Sequence, residues 1–255
     1  MNLHATYVLH LADNALILGQ RNAQWCGHGP ILEEDLAMAN NSLDLIGQAR
    51  LLYQHVAHLR ADGSTEDTLA YFRDQQDFLN FTLVELPHTT ALAPSAHSQD
   101  DYAITIARNF LFSAYMVLVW GQLQQHADQS LAAIAEKSIK EVRYHLQHAS
   151  DWMIRFGDGT EQSHAKAQAA LNFLGPYTQE FWSEWPAASQ ALGDFKGLST
   201  HWEQSINAVI AQAGLQMPQV NGYLTQGKHG VHSEHMSYLL AEMQSLARQH
   251  PGAAW

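Results

Sequence analysis

A single cysteine, Cys26, is all the thiol chemistry this sequence carries. No disulfide can close within one chain, so a small disulfide-stapled secreted fold is excluded. No apolar run reaches the roughly 20 residues that a helix needs to cross a bilayer. The longest, around Phe110 to Trp120, is cut by Ser113 and keeps a helical period, which reads as a buried core helix. The N-terminus lacks the succession of basic region, apolar stretch and cleavage site, so the cytoplasm is the expected compartment. Basic residues are scarce: 13 Lys and Arg stand against 25 Asp and Glu, for a formal net charge of -12. Such a surface repels a nucleic-acid backbone and an anionic membrane, and neither is an expected partner. Charged residues make up only 15% of the chain and hydrophobic ones 46%, which excludes a disordered chain. Strand alternation is missing too.

What is present is helical periodicity. Val8, Leu11, Ala15 and Leu18 mark a first helix from about His4 to Trp25, ended by Gly27, Gly29 and Pro30. A long second helix follows to about Ala61, with Glu33, Glu34 and Asp35 at the positive end of its dipole. Its Leu32, Leu36, Ala39, Leu43 and Ile46 alternate by four and three, a stripe suited to the grooves of neighbouring helices. A third helix is predicted from Ser64 or Thr65 to just before Pro87, carrying Leu69, Phe72, Leu79 and Leu83. Residues 88 to 99, rich in Thr, Ser, Ala and Pro, read as a mobile loop. Ala103 to Gly121 give a fourth helix, and Leu131 to Phe156 a fifth that Gly157, Asp158 and Gly159 end. Shorter helices are predicted over 161–174, 176–185 and 195–213, and a last one carries Met236, Leu239, Met243 and Leu246. Long helices, short turns and one longer crossover predict an all-α fold: a ferritin-like four-helix bundle with additional C-terminal helices. The expected organisation is one domain over 1–255, with the core bundle at about 4–157 and the additional helices at about 160–250.

Ferritin-like bundles hold two irons through one Glu from each of two helices and Glu-x-x-His from each of the other two. Here Asp44 is followed three residues later by Gly47, which offers no ligand atom, and Glu141 by Tyr144, with His145 one place further on. Neither pair is intact. Glu141, His145 and His148 still share a helix face and could hold a metal ion with help from another helix. The plainer alternative is a buried Glu hydrogen-bonded to His or Arg, with Arg50, Lys140 and Arg143 as available cations. His229, His232 and His235 cluster near the C-terminus, but only Glu234 lies close enough to complete a metal site, and surface or capping roles are the more ordinary reading. The stretch from Gly222 to Gly230 has the parts of an anion cradle, with Gly227, Lys228, His229 and Gly230 as possible contacts for CoA phosphates or a protein partner. A structural turn explains the same glycines. Cys26 has no Cys neighbour or basic activator and reads as a buried structural thiol.

Four blocks together resemble the C-subunit family of bacterial ring 1,2-phenylacetyl-CoA epoxidases. They are DNALILGQRNAQWCGHGPILEEDLAMANNSLDLIGQAR from Asp13, EDTLAYFRDQQDFLNFTLVELP from Glu66, IKEVRYHLQHASDWMIRFGDGT from Ile139, and GKHGVHSEHMSYLLAEMQ from Gly227. The resemblance covers nearly the whole chain and is weakest at residues 88–99 and 180–220. It implies a multicomponent monooxygenase of aerobic phenylacetate breakdown that converts phenylacetyl-CoA to its ring epoxide with O2 and electrons from NADPH. In that family a related A subunit holds the di-iron centre, and a separate reductase carries FAD and an iron–sulfur cluster. The C subunit has lost the ligands, binds no cofactor, and pairs with the A subunit as a structural partner among the other epoxidase subunits. The broken pairs at Asp44/Gly47 and Glu141/Tyr144 agree with that implication. An alternative is that this chain is itself a metal-dependent oxygenase using Glu141, His145 and His148. A bundle whose inward carboxylates repel one another without metal gains stability from a metal-free bundle packed beside it. A broad apolar and aromatic helix face is therefore expected here, drawing on the first two helices.

Overall fold

The computed structural model describes residues 2–90, 100–193, 195–220 and 222–253. Its α-helices are α1 Leu3–Ala23, α2 Leu32–Arg60, α3 Glu66–Tyr71, α4 Thr82–Glu85, α5 Tyr102–Leu123, α6 Gln129–Asp158, α7 Glu161–Leu174, α8 Gln179–Trp182, α9 Pro186–Leu192, α10 Phe195–Gln212 and α11 Glu234–Gln249. Among the described residues there is no strand, only an isolated bridge between Gln226 and Val231. The fold is all-α and ferritin-like, with two pairs of long helices, α1 with α2 and α5 with α6. Most of the loop expected at 88–99 lies outside the described residues, which resume at 100.

The chain divides into two compact units: residues 1–86 with 226–255, and residues 87–225. In the first, α1 begins where Asn2 Oδ1 accepts the Ala5 N–H at 2.6 Å, and nearly every side chain from Tyr7 to Leu18 is buried. It runs so close to α2 that a Cβ on Gly19 would sit 3.2 Å from Ile46 Cγ1 and 3.3 Å from Leu45 Cβ. The face of α2 that enters this core carries Met38, Leu45, Ala49, Leu52, Tyr53 and Val56, together with the polar Asn41, Ser42 and Gln48. The stripe expected to pack, Leu32, Leu36, Leu43 and Ile46, is exposed instead. A helix this long carries two apolar stripes, and α1 covers only one of them.

The predicted third helix is interrupted. After α3, whose Thr65 and Thr68 form a reciprocal capping box, the chain leaves helical geometry at Phe72, makes a short 3-10 turn at Gln75–Asp77 and re-enters a helix only at α4. Side chains of α1 satisfy the backbone there, as described below. Cys26, expected to be buried, is exposed in the turns that follow α1, and its neighbour Trp25 is the one that enters the core.

In the second unit, Asp128 Oδ1 caps α6 by accepting from Ser130 N at 3.0 Å and Leu131 N at 3.2 Å. The short turn before it sends α6 back along α5. Helix α7 packs on both, and so does α10. α5 is long and apolar enough to cross a membrane, but 89% of its most apolar window is buried in protein, as expected of a core helix. Tyr115 stacks on Phe181 at 4.6 Å between centroids, and Trp182 and Trp202 close the cluster. The Trp202 indole N–H donates to Leu111 O at 3.1 Å. Gly157 is glycine for lack of room: a Cβ there would lie 2.0 Å from Ala213 O.

Candidate functional site

The most elaborate polar assembly within one unit lies inside the first. Asp13, wholly buried near the middle of α1, accepts two hydrogen bonds on each carboxylate oxygen. Oδ1 takes the Tyr53 hydroxyl at 2.7 Å and Nη2 of Arg73; Oδ2 takes Leu79 N at 2.8 Å and Arg73 Nη1 at 3.1 Å. The Arg73 guanidinium also donates to Leu69 O and Asp77 O and lies 4.0 Å above the Phe78 ring. Burial alone would lower the Arg73 pKa, but the Asp13 charge outweighs it and the net direction is up. Burial, then the same carboxylate, pushes the Tyr53 hydroxyl well above its usual 10. These bonds break the third helix: Arg73 and Leu79 turn inward to meet Asp13, and Asn14 Oδ1 accepts the Phe81 N–H at 3.0 Å.

One turn before Asn14, His10 donates from Nδ1 to Leu79 O at 2.5 Å and meets Phe81 edge to face at 4.5 Å. Burial, with the positive charges of Lys228 and His229 nearby, lowers its pKa to about 3 against the opposing pull of the Leu79 bond. The ring is neutral throughout the physiological range.

A second buried pair ties in the C-terminal segment. Glu85 Oε2 accepts from His232 Nδ1 at 2.6 Å and from Asn80 Nδ2 at 2.9 Å, and Oε1 accepts the Ser233 N–H at 2.6 Å. His232 Nε2 faces Phe78 O at 2.9 Å. Both ring nitrogens thus point at acceptors, so the doubly protonated imidazolium is the form that satisfies both. Burial lowers the His232 pKa, but the bond to Glu85 and its charge overcome that, and the net shift is upward. Arg21 clamps the same place, donating to Glu85 O at 2.9 and 2.6 Å and to His235 O at 3.4 Å. A Cβ on Gly227 would fall 2.5 Å from Asn80 O, and one on Gly230, at φ +79, would fall 2.4 Å from Gln76 O. Glycine is needed at both positions for this segment to seat.

The residues singled out in the sequence are distributed as follows. Asp44 and Gly47 lie half-buried on α2 in the first unit. Glu141, Tyr144 and His145 lie on α6 in the second: Glu141 half-buried with Lys137 Nζ at 3.7 Å, Tyr144 exposed and stacked on His148, and His145 buried. Of the expected cations, Arg50 pairs with Glu66 at 3.5 Å. Lys228 is only 2% exposed, while His229 beside it is open to solvent. The tight packing of Gly227 and Gly230 on residues 76–82 favours the structural-turn reading of this segment. His232 and His235 are separated in role, one ion-paired to Glu85 and the other lending its carbonyl to Arg21.

Asp13, Arg73, Tyr53 and Glu85 carried no motif. The available signal was a charged residue in a run of apolar neighbours, as in HLADNALIL and TLVELP. As a metal site the network fits poorly. Asp13 spends each lone-pair direction on a protein donor, and both oxygens of Glu85 are engaged.

Comparison with known proteins adds the context. Residues 2–255 match the family described as phenylacetic acid catabolic protein. The C subunit of the 1,2-phenylacetyl-CoA epoxidase of Escherichia coli (strain K12) is 43% identical over 260 residues, covering 100% of both chains.

Proposed function

The chain belongs to the phenylacetic acid catabolic protein family, and from that premise we infer that it is a structural, non-catalytic subunit of a 1,2-phenylacetyl-CoA epoxidase. In this role it pairs with a di-iron catalytic A subunit, stabilises it, and works in the cytoplasm among the other epoxidase subunits, with phenylacetyl-CoA and the NADPH-dependent reductase acting at the complex. The observation that carries the reading is the lack of a ligand at Gly47 and Tyr144, three residues after Asp44 and Glu141, and the saturation of Asp13 is in keeping with it. A carboxylate in an iron-binding bundle must keep lone pairs for the metal, and this one gives them to Arg73, Tyr53 and the Leu79 amide. Buried carboxylates paired by protein donors, as Asp13 and Glu85 are, need no metal to offset their charge, which suits a chain whose task is to steady another.

The test is to purify the chain, expose it anaerobically to ferrous iron and measure bound metal, then to co-express it with an A subunit. Substoichiometric iron, together with co-purification and higher turnover of the A subunit, is the expected result. Two tightly bound irons per chain would instead favour an oxygenase site using Glu141, His145 and His148.

A further inference from the structure

Helices α1 and α2 are joined by residues 24–31 at one end and pack side by side along their length. The antiparallel register that sets Gly19 against Leu45 and Ile46 carries the start of α1 to the last two turns of α2. At this open end of the hairpin the helices meet through side chains. His4, in the first turn of α1, lies against His55 of α2, with ring centroids 6.2 Å apart and planes at 76°. His55 is 8% exposed and His4 is half-buried, so the pair is backed by protein on one flank and reached by solvent on the other.

Edge-to-face imidazoles are ordinary packing, and what sets this pair apart is the placing of its nitrogens. One from each ring lies within 4.8 Å of the other. Two nitrogens on one tetrahedral zinc stand about 3.4 Å apart, given Zn–N bonds of about 2.0–2.1 Å. The closure needed is therefore at most about 1.5 Å, which small χ1 and χ2 rotations of two side chains supply. The donor type selects the ion. Neutral imidazole suits zinc, copper and nickel, whereas magnesium and calcium take oxygen ligands. Two protein nitrogens leave the remaining coordination positions to water, so such a site is an open bridge between helices, unlike the closed four-ligand centre of a structural zinc domain.

We propose that His4 and His55 together bind one transition-metal ion of the zinc class, which bridges α1 and α2 at the open end of their hairpin. The site is independent of the subunit role inferred above. Ferrous iron stands low in the order of divalent affinities, so the iron-loading test of that role is not answered by this pair. Two of the four ligands of a structural zinc site leave a dissociation constant on the order of 1–100 µM. The test is titration of the untagged full chain with zinc chloride against a chromophoric chelator, with circular dichroism as the control for folding. Wild type should bind one zinc in that range, and His4→Gln and His55→Gln should each weaken binding by at least about tenfold with unchanged helicity. His201→Gln, which removes an exposed histidine of α10, should leave it as it was. If His55→Gln disturbs the fold, His4→Gln, at the less buried position, decides alone. With copper(II) as the probe, electron paramagnetic resonance should count two imidazole nitrogens in wild type and one in each single variant. A wild type that binds no zinc below about 1 mM overturns the proposal. So does a His4→Gln chain that binds as tightly as wild type, because the ion then sits on other histidines.

Discussion

The interior of the first unit holds ion pairs, Asp13 with Arg73 and Glu85 with His232, whereas the second unit closes around the rings of Tyr115, Phe181, Trp182 and Trp202. The buried guanidinium of the second unit, Arg108, donates to a histidine nitrogen, His88 Nδ1, at 2.8 Å. The difference is one of directionality. An ion pair in a dry core is favourable only while every donor and acceptor is in place, and removing one member leaves a stranded charge. Packed rings lose stability gradually, by area and shape, and without regard to pH.

Asp13→Ala puts the most strain on this contrast. It strands the Arg73 guanidinium and leaves the Tyr53 hydroxyl and the Leu79 amide without their acceptor, so urea unfolding should show a loss of about 3–5 kcal/mol. A loss below about 1 kcal/mol would mean that the charges are incidental to the fold.

Acidity comes next in size. The folded His10 has a pKa of about 3 against 6.5 for the free side chain, so below pH 6.5 the unfolded chain takes up a proton that the folded chain refuses. Stability should therefore fall by about 2 kcal/mol between pH 7 and pH 5. His232 acts in the opposite sense. Its pKa is raised, so its contribution is complete below pH 6.5 and is lost as the pH climbs through the raised value. The first unit should thus weaken toward both extremes while the second stays level. Hydrogen exchange of 3–86 and 226–253, compared with 100–220 and corrected for intrinsic rates at pH 5, 7 and 9, reads both arms. Equal pH dependence in the two units would break the comparison.

Trp202→Phe in the aromatic unit removes the indole bond to Leu111 O and, with the smaller ring, part of the packing on Phe181 and Trp182. It should cost about 1–2 kcal/mol, equally at pH 5 and pH 7. Smallest of all is Asp74→Asn, which removes an exposed contact with Arg248 at 3.2 Å. Melting should register less than about 0.5 kcal/mol, the usual return of a solvated ion pair.

How far these interiors were legible follows from the same contrast. Apolar periodicity marks α1, α2, α5, α6, α7, α10 and α11 to within a few residues, because burial of a stripe is a local property of the chain. The break at Phe72 was not legible: Leu69, Phe72, Leu79 and Leu83 keep a helical rhythm, and what interrupts it is Asp13, contributed by a distant helix. The choice between the two stripes of α2 was hidden for a similar reason. Asn41, Ser42 and Gln48 make the buried face look more polar than the exposed one. His232 drew notice as a possible metal ligand, but its partner Glu85 lies 147 residues away and no spacing rule links them.

That long separation bears on the order in which the molecule can be made. The aromatic unit is contained in one stretch, residues 87–225, and emerges from the ribosome with its contents complete. The charged unit does not, because Glu85 and Arg21 are synthesised long before Ser233, His232 and the His235 carbonyl that they hold. Until translation passes residue 235, α1 to α4 carry a buried-type carboxylate and a guanidinium with part of their coordination missing, so the nascent chain has two seams to keep closed and only one of them finished. A chain truncated just before His232 would keep residues 87–225 of the second unit and leave Glu85 without its bonds from His232 and Ser233.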